Sequence, residues 1–393
     1  MSVALSPMIE QEKLAAIDAT RGWAIILVML VHSLAILPEL PWPVVKIGSF
    51  GWYGVQLFFI ASALTLLLSW HRQTGPLPTK IGNFFIRRFF RIAPMYYFAA
   101  LIYLYLRPPG QLFEIEQMLL TLGFLNGWSP DWMGTTEGTW QVVPGGWSIS
   151  VEFSFYLAFP LLALYLTTLQ RSISFLLASL FIMAASHQFA AGLLIPRLGE
   201  DIAGNFLFFW FPNQLIVFSL GFLIFHIITS PGIVSHTICA SFRKHGREYL
   251  LLAVILFLSL TQIGPVKTLT TNFPWLPTHV LVSVLFAVAL MAVLLAERPL
   301  RLYSNRLTQS LGEVSFSAYL VHWAVIDFLR YMGSIGIYDT TITGFQAIAE
   351  FIPAFVCVVA ITFVISRVTY RFIEKPFIAI SKQPWLVARL AQR

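Results

Sequence analysis

The stretch Asp18-Ala-Thr-Arg-Gly-Trp-Ala-Ile-Ile-Leu-Val-Met-Leu-Val-His32 decides the fold class. It is an apolar run with an arginine at its mouth and a histidine inside it. Arg21 and His32 are eleven residues apart, and at about 100° per residue that spacing returns to nearly the same helix face after three turns. With a rise of ~1.5 Å per residue, the two lie roughly 16 Å apart along the axis. One face therefore carries a fixed charge near a membrane surface and an imidazole deep in the bilayer. Asp18, one turn before Arg21, is placed to orient it. An arginine that snorkels to the headgroups and a histidine bonded to a neighbouring helix give the same local pattern. The shared face makes the pair more informative than either member, because an ionisable side chain at mid-membrane depth is costly and points to function.

The rest of the composition agrees. Of 393 residues, 58% are hydrophobic and only 11% charged, with a mean hydropathy of +0.76. Soluble domains carry about 25% charged residues, so the chain is an integral membrane protein. Glu10, Glu12, Lys13 and Asp18 precede the first apolar run, and no small-residue cleavage site follows it. The first helix is therefore expected to be retained. Cys239 and Cys357 lie in different segments and supply neither a disulfide framework nor a metal cluster.

Hydropathy predicts an all-α, polytopic protein of about ten spanning helices: 18–38, 50–70, 89–107, 150–168, 172–191, 205–229, 249–264, 278–296, 312–333 and 348–370. Placing the N-terminus, the even-numbered connections and the C-terminus on one side gives that side 20 of the 25 basic residues. Under the positive-inside rule both termini are then cytoplasmic, in a multi-pass protein of the cell inner (plasma) membrane. The other side keeps Lys46, Arg107, Arg197, Lys267 and Arg330. The net charge of +7 is a cytoplasmic collar, and no nucleic-acid partner is needed to explain it. A single membrane domain over 1–393 is expected, with its core at 17–376 and no appended soluble domain.

The longest non-cytoplasmic connection, about 107–150, contains Pro108-Pro109-Gly110, Trp128, Trp132, Trp140 and Pro144-Gly145-Gly146-Trp147. Within it Phe113–Phe124 reads as a short amphipathic or re-entrant helix. Long ordered loops of this kind are often functional.

Five further stretches carry chemistry or packing. Gly51, Gly54, Ala61 and Ala63 are small residues that let helices approach closely. Arg88 and Arg91, at i and i+3, share a face as the third helix begins on the cytoplasmic side. They suit anionic headgroups or the phosphates of a cytosolic cofactor. Glu152 follows Trp147-Ser148 near the outer start of the fourth helix, where the macrodipole stabilises it or where it acts on an incoming hydroxyl. Ser315-Phe-Ser-Ala-Tyr319-Leu-Val-His322 places a second histidine within the bilayer, one turn from Tyr319. Finally, Glu374-Lys375-Pro376 reads as a helix end stopped by proline, with Glu374 paired to a collar arginine.

In this order, these stretches resemble the acyltransferase-3 family of integral membrane acyltransferases. The resemblance runs from Ile17 to Pro376. It rests on Arg21 with His32, Gly54-Val55 through Phe58-Phe59 to Ser62, Arg88 with Arg91, Trp147-Ser148 with Glu152, Ser315 to His322, and Glu374 to Pro376. The family usually has Ser-Gly where this chain has Ser62-Ala63.

The resemblance implies transfer of an acyl group, usually acetyl, from cytosolic acetyl-CoA or another acyl-CoA to a hydroxyl of a glycan or glycolipid acceptor. The nucleotide would dock on Arg21, Arg88 and Arg91, with the pantetheine arm threading toward His32 among membrane lipids. His32 would serve as general base. His322 would polarise the thioester carbonyl or act as a second base, and a stepwise route through an acetyl-histidine is equally open. Trp147, Ser148, Glu152 and Tyr319 would meet the acceptor. No metal is required. Two other classes fit the bare topology: an exporter of a glycan or lipid without covalent chemistry, and a membrane scaffold or sensor with inert histidines. An exporter is disfavoured by the lack of an evident inverted repeat.

Overall fold

The computed structural model describes residues 7–37, 39–108, 115–133, 141–262, 277–297 and 300–383. Expectations placed on Pro109, Gly110, Trp140, Lys267, Arg298, Arg389 and Arg393 lie outside these residues, as do those on the side chains of Lys13 and Trp132. The structure is 84% helical, with no strand among the described residues, as an all-α membrane protein requires.

In chain order the helices are α1 (Pro7–Ser33), α2 (Trp42–Ser49), α3 (Gly54–Arg72), α4 (Leu77–Leu106), α5 (Ile115–Leu122), α6 (Pro130–Met133), α7 (Trp147–Tyr165), α8 (Leu169–Leu198), α9 (Glu200–Phe209), α10 (Phe211–Thr229), α11 (Ile233–Gln262), α12 (Thr278–Leu295), α13 (Arg306–Glu313), α14 (Ser315–Ser334), α15 (Gly344–Thr369) and α16 (Lys375–Ile380). A 3-10 turn, Phe50–Tyr53, leads into α3, and a π-helical turn, Tyr370–Glu374, separates α15 from α16.

Among the described residues, eight segments are long and apolar enough to cross a membrane, judged by length and composition. The predicted seventh and ninth spans correspond to α11 and α14, which that criterion omits. Tyr319, His322, Asp327 and Arg330 lower the hydropathy of α14, so the side chains that mark it as functional also hide it as a span.

Three boundaries differ from expectation. The third span begins at Leu77, with Pro78 in its first turn, so Arg88 and Arg91 lie in mid-helix and not at a helix start. The sixth segment is broken at Trp210, whose backbone is extended (ψ 139°) just ahead of Pro212. Pro376 does not stop a helix: it occupies the first turn of α16, where its missing N–H costs nothing. The short helix expected within Phe113–Phe124 is α5.

The chain gathers into two compact units, Met1–Leu64 with Ile224–Arg367 and Thr65–Leu223 with Val368–Arg393. In the first, α1 is the central helix, and α13 is its most extensively packed neighbour. A methyl added at Gly22 would meet the Thr308 carbonyl, and one at Gly312 would meet the Asp18 carbonyl. The two backbones therefore touch through a pair of reciprocal glycines. Gly51 and Gly54 play the same part where the 3-10 turn and α3 meet α1, against the carbonyls of Leu27 and Ala24. α11 packs along α12. A capping box starts α13, with the Asn305 side chain accepting from the Thr308 N–H at 3.1 Å and the Thr308 hydroxyl accepting from the Asn305 N–H, also at 3.1 Å.

The second unit has an aromatic core. Phe155 stacks on Phe218 at 3.9 Å and Phe84 on Phe159 at 4.8 Å. Offset aromatic pairs of this kind add about 0.5–1.5 kcal/mol each beyond the area they bury. α8 packs on α9, while α4 packs on the π turn and on α16.

Candidate active site

The first unit carries the histidines. His32 lies in the last turn of α1, and three rings from two other elements surround it. The Trp323 indole is 3.9 Å from the imidazole, centroid to centroid. The Trp52 indole meets it edge-on at 5.1 Å, and the His322 ring lies at 5.3 Å. His322 is fully buried, whereas His32 retains some exposure. The Nδ1 of His322 is 3.2 Å from the Ala318 carbonyl. A carbonyl only accepts, so Nδ1 donates, and the neutral ring carries its lone pair on Nε2. Tyr319 stands 5.8 Å from His322. Two imidazoles thus stand side by side, walled by indoles in an apolar setting.

Three turns earlier, near the middle of the same helix, stands Arg21. Its Nη1 is 3.4 Å from the Asp18 carboxylate, the expected orienting contact. The segment is fastened to the turn at 300–305: the Trp23 indole N–H donates to the Tyr303 carbonyl at 3.0 Å, and the Tyr303 hydroxyl donates to Thr20 Oγ1 at 3.1 Å. Burial pushes the Tyr303 phenol up to about 12, its bond with Thr20 pulling the other way. α1 thus carries Arg21 near its middle and His32 in its last turn in one uninterrupted helix.

The second unit holds the remaining predicted residues, in a different arrangement from the one expected. Arg88 hydrogen-bonds Tyr156 and lies in the field of Glu152. The Tyr156 hydroxyl donates to Glu152 Oε1 at 2.6 Å. Arg91 makes a 2.6 Å ion pair with Glu374, whose side chain is fully buried, so the predicted pairing of Glu374 is observed. Arg88, Tyr156 and Glu152 form one chain of contacts, and Arg91 with Glu374 forms a second pair one helical turn away. Glu152, in the second turn of α7, and Arg88, in mid-helix α4, thus share Tyr156 as a common partner. Buried charges persist only when paired and hydrogen-bonded.

Trp147 and Ser148 are buried. Trp147 lies against Phe209 at 4.1 Å, and the Ser148 hydroxyl donates to the Gly145 carbonyl at 3.1 Å. Within the first unit the structure brings His32, His322 and Tyr319 together, with Arg21 three turns away. Within the second it brings Arg88, Arg91, Glu152 and Glu374 together.

Sequence reasoning missed Trp52, Trp323 and Tyr156 as site residues. Tyr156 follows Glu152 at i+4, a helical-neighbour spacing that signals the contact. Trp323 adjoins His322 in sequence. Trp52 carries no comparable mark.

Residues 14–370 match the family described as "Acyltransferase domain". The chain belongs to the acyltransferase-3 family. Curated relatives named "Putative O-acetyltransferase" come from Staphylococcus aureus strains COL, MSSA476 and MRSA252. Each is 23% identical over 347 residues, covering 83% of this chain and 52% of the relative. The chain thus spans about half the length of the curated relatives it matches. No solved structure matches it. The acyltransferase-3 match contains Arg21, His32, Arg88, Arg91, Glu152, Tyr319 and His322, while Glu374 falls four residues beyond it.

Proposed function

We propose that the protein is a membrane O-acyltransferase that moves an acyl group, in the first instance acetyl, from a cytosolic acyl-coenzyme A to a hydroxyl of a glycan or glycoconjugate. The observation that carries this reading is the 5.3 Å apposition of His32 and His322, with Arg21 three turns before His32 on the same helix. Family membership favours group transfer over export, and it supplies the acyl chemistry.

In this mechanism His32, the more exposed imidazole, takes the proton of the acceptor hydroxyl as its oxygen attacks the thioester carbonyl. The C–S bond then breaks, and the imidazolium returns the proton to the departing thiolate. His322, held by Ala318, fixes the ring beside it and offers a second site for the proton. The uncharged pantetheine arm runs along the Arg21–His32 face, roughly 16 Å long. Arg88 and Arg91 would meet a donor phosphate with the N–H groups that their contacts with Tyr156 and Glu374 leave over. Glu152, held by Tyr156, would act on the acceptor. The acceptor is a hydroxyl compound reaching the site from the side opposite the donor.

The test is incubation of membranes containing the protein with labelled acetyl-coenzyme A and recovery of label in surface glycan. Covalent label that disappears in His32→Ala at equal protein content is the expected result. Glycan movement without covalent labelling would replace this reading with transport.

A further inference from the structure

One feature of the first unit is unused by the chemistry above: the bend in α11. Helical geometry fails at His245 (φ −116°, ψ 25°), and Gly246 is buried against α12. A methyl on Gly246 would come within 2.9 Å of Ala296 Cβ and 3.1 Å of the Ala292 carbonyl oxygen. The Glu297 N–H donates to the Arg243 carbonyl at 3.3 Å, holding the bend to the end of α12. Around this anchored bend Arg243, Lys244, His245 and Arg247 are all exposed, as are Arg301 and Arg306 close by in the chain. Glu248 and Glu297 are the exposed acids among them, so the rim is strongly basic.

The rim is tied through the end of α12 to the Thr20–Trp23 stretch of α1. From Glu297 the chain runs to the turn at 300–305, where Tyr303 is bonded to both Trp23 and Thr20 of α1. At the other end of α12, Thr278 hydrogen-bonds Tyr53, next to the Trp52 that meets His32. α12 has 18 residues, so the rim and the histidines are separated by roughly 27 Å of helix.

We propose that Arg243, Lys244 and Arg247 bind the phosphates of the acyl donor's nucleotide, an inference that rests on acyl-coenzyme A being the donor. Exposed guanidinium and ammonium groups engage phosphate oxygens directly. Arg91 and Arg88 by contrast already serve a buried carboxylate and a phenol. The rim also lies in the same unit as the histidines, tied to the stretch of α1 from which the uncharged arm can reach them. The donor would then lie lengthwise along α1, phosphates at the rim and thioester at His32.

The experiment measures binding of coenzyme A and of 3′-dephospho-coenzyme A to the full-length protein in zwitterionic nanodiscs. Charged hydrogen bonds of this kind contribute enough that Arg243→Gln/Lys244→Gln/Arg247→Gln should weaken coenzyme A about tenfold or more. It should also shrink the difference between the two ligands, while Arg243→Lys/Arg247→Lys retains most of the affinity. Unchanged coenzyme A affinity in the triple variant overturns the proposal. So does an Arg88→Gln effect larger than that of the triple variant. If the triple variant binds coenzyme A normally but loses stabilisation by phosphatidylglycerol, the rim is a lipid-headgroup contact and the proposal is again overturned. A wild-type protein that binds no coenzyme A but transfers acyl groups from another donor refutes the donor assignment itself, a result visible before any substitution is made.

Discussion

His32 and His322 come from helices at opposite ends of the sequence, yet their rings lie 5.3 Å apart with a 31° tilt. The pair places one partly open imidazole beside one that is fully enclosed. In the proposed mechanism that asymmetry gives His32 the substrate-facing role and His322 the supporting one.

Substitution of His32 by alanine is expected to lower acyl transfer about 10²–10⁴-fold, the usual contribution of a general base. If the rings act as a unit, His322→Ala costs a similar factor and the double variant is little worse than either. Initial rates in membranes matched for protein content check this. Near-wild-type turnover by His32→Ala would remove the base.

Trp323 packs on His32 at 3.9 Å, so it holds the imidazole's orientation. Trp323→Ala should lower kcat while leaving the KM for the donor near its original value, and Trp323→Phe should recover most of the rate. A variant that changes only KM would place Trp323 in substrate binding instead.

The Arg91–Glu374 pair is a stability element. Removing one partner of a buried ion pair costs about 3–5 kcal/mol, whereas replacing both with apolar groups is often far milder. Glu374→Ala should therefore melt well below the wild type in detergent, and Arg91→Leu/Glu374→Leu should recover much of the loss. Additive losses in that double variant would show that the two side chains act independently.

Glycine substitutions separate contact from composition. Gly22→Ala and Gly312→Ala force a methyl into a facing carbonyl and should sharply reduce the yield of folded protein. Gly192→Ala and Gly204→Ala have open space and should be neutral or stabilising by about 0.4–1 kcal/mol. Expression and thermal melting of the four variants decide the matter.

The raised Tyr303 phenol predicts an alkaline weakness. Its folded value, about 12, exceeds the ordinary 10.0, so its stabilising contribution is complete below pH 10.0 and is lost as pH rises toward 12. Tyr303→Phe should flatten that part of the melting-temperature profile, at a cost of about 1 kcal/mol at neutral pH from the lost bond to Thr20. An unchanged alkaline profile would exclude Tyr303 as its source.

The sequence was most legible where periodicity and side-chain chemistry are local. The second half of α1 is an apolar run, so the helix there and the Arg21–His32 spacing could be read directly, while its polar first turns, from Pro7 on, could not. The start of α4 could not, because Arg87, Arg88 and Arg91 look like a membrane boundary. Their partners Glu152 and Glu374 stand far away in the chain, and only folding shows those charges to be balanced in mid-helix. Each histidine was recognisable alone, but their apposition depends on the packing of α14 along α1, which no short-range pattern encodes. Trp52 was hidden for the same reason: its 3-10 turn becomes informative only once it touches His32.

The reciprocal glycine contact between α1 and α13 also sets a vertical datum for the chemistry. Sliding α1 by even one residue would bring a side chain into a facing carbonyl, so the height of His32 is fixed from the middle of its own helix. Tolerance for a bulkier transferred group would therefore have to come from trimming the indoles around His32, since moving the helix is closed off. Engineering of donor length should begin at Trp52 and Trp323 and leave Gly22 and Gly312 untouched.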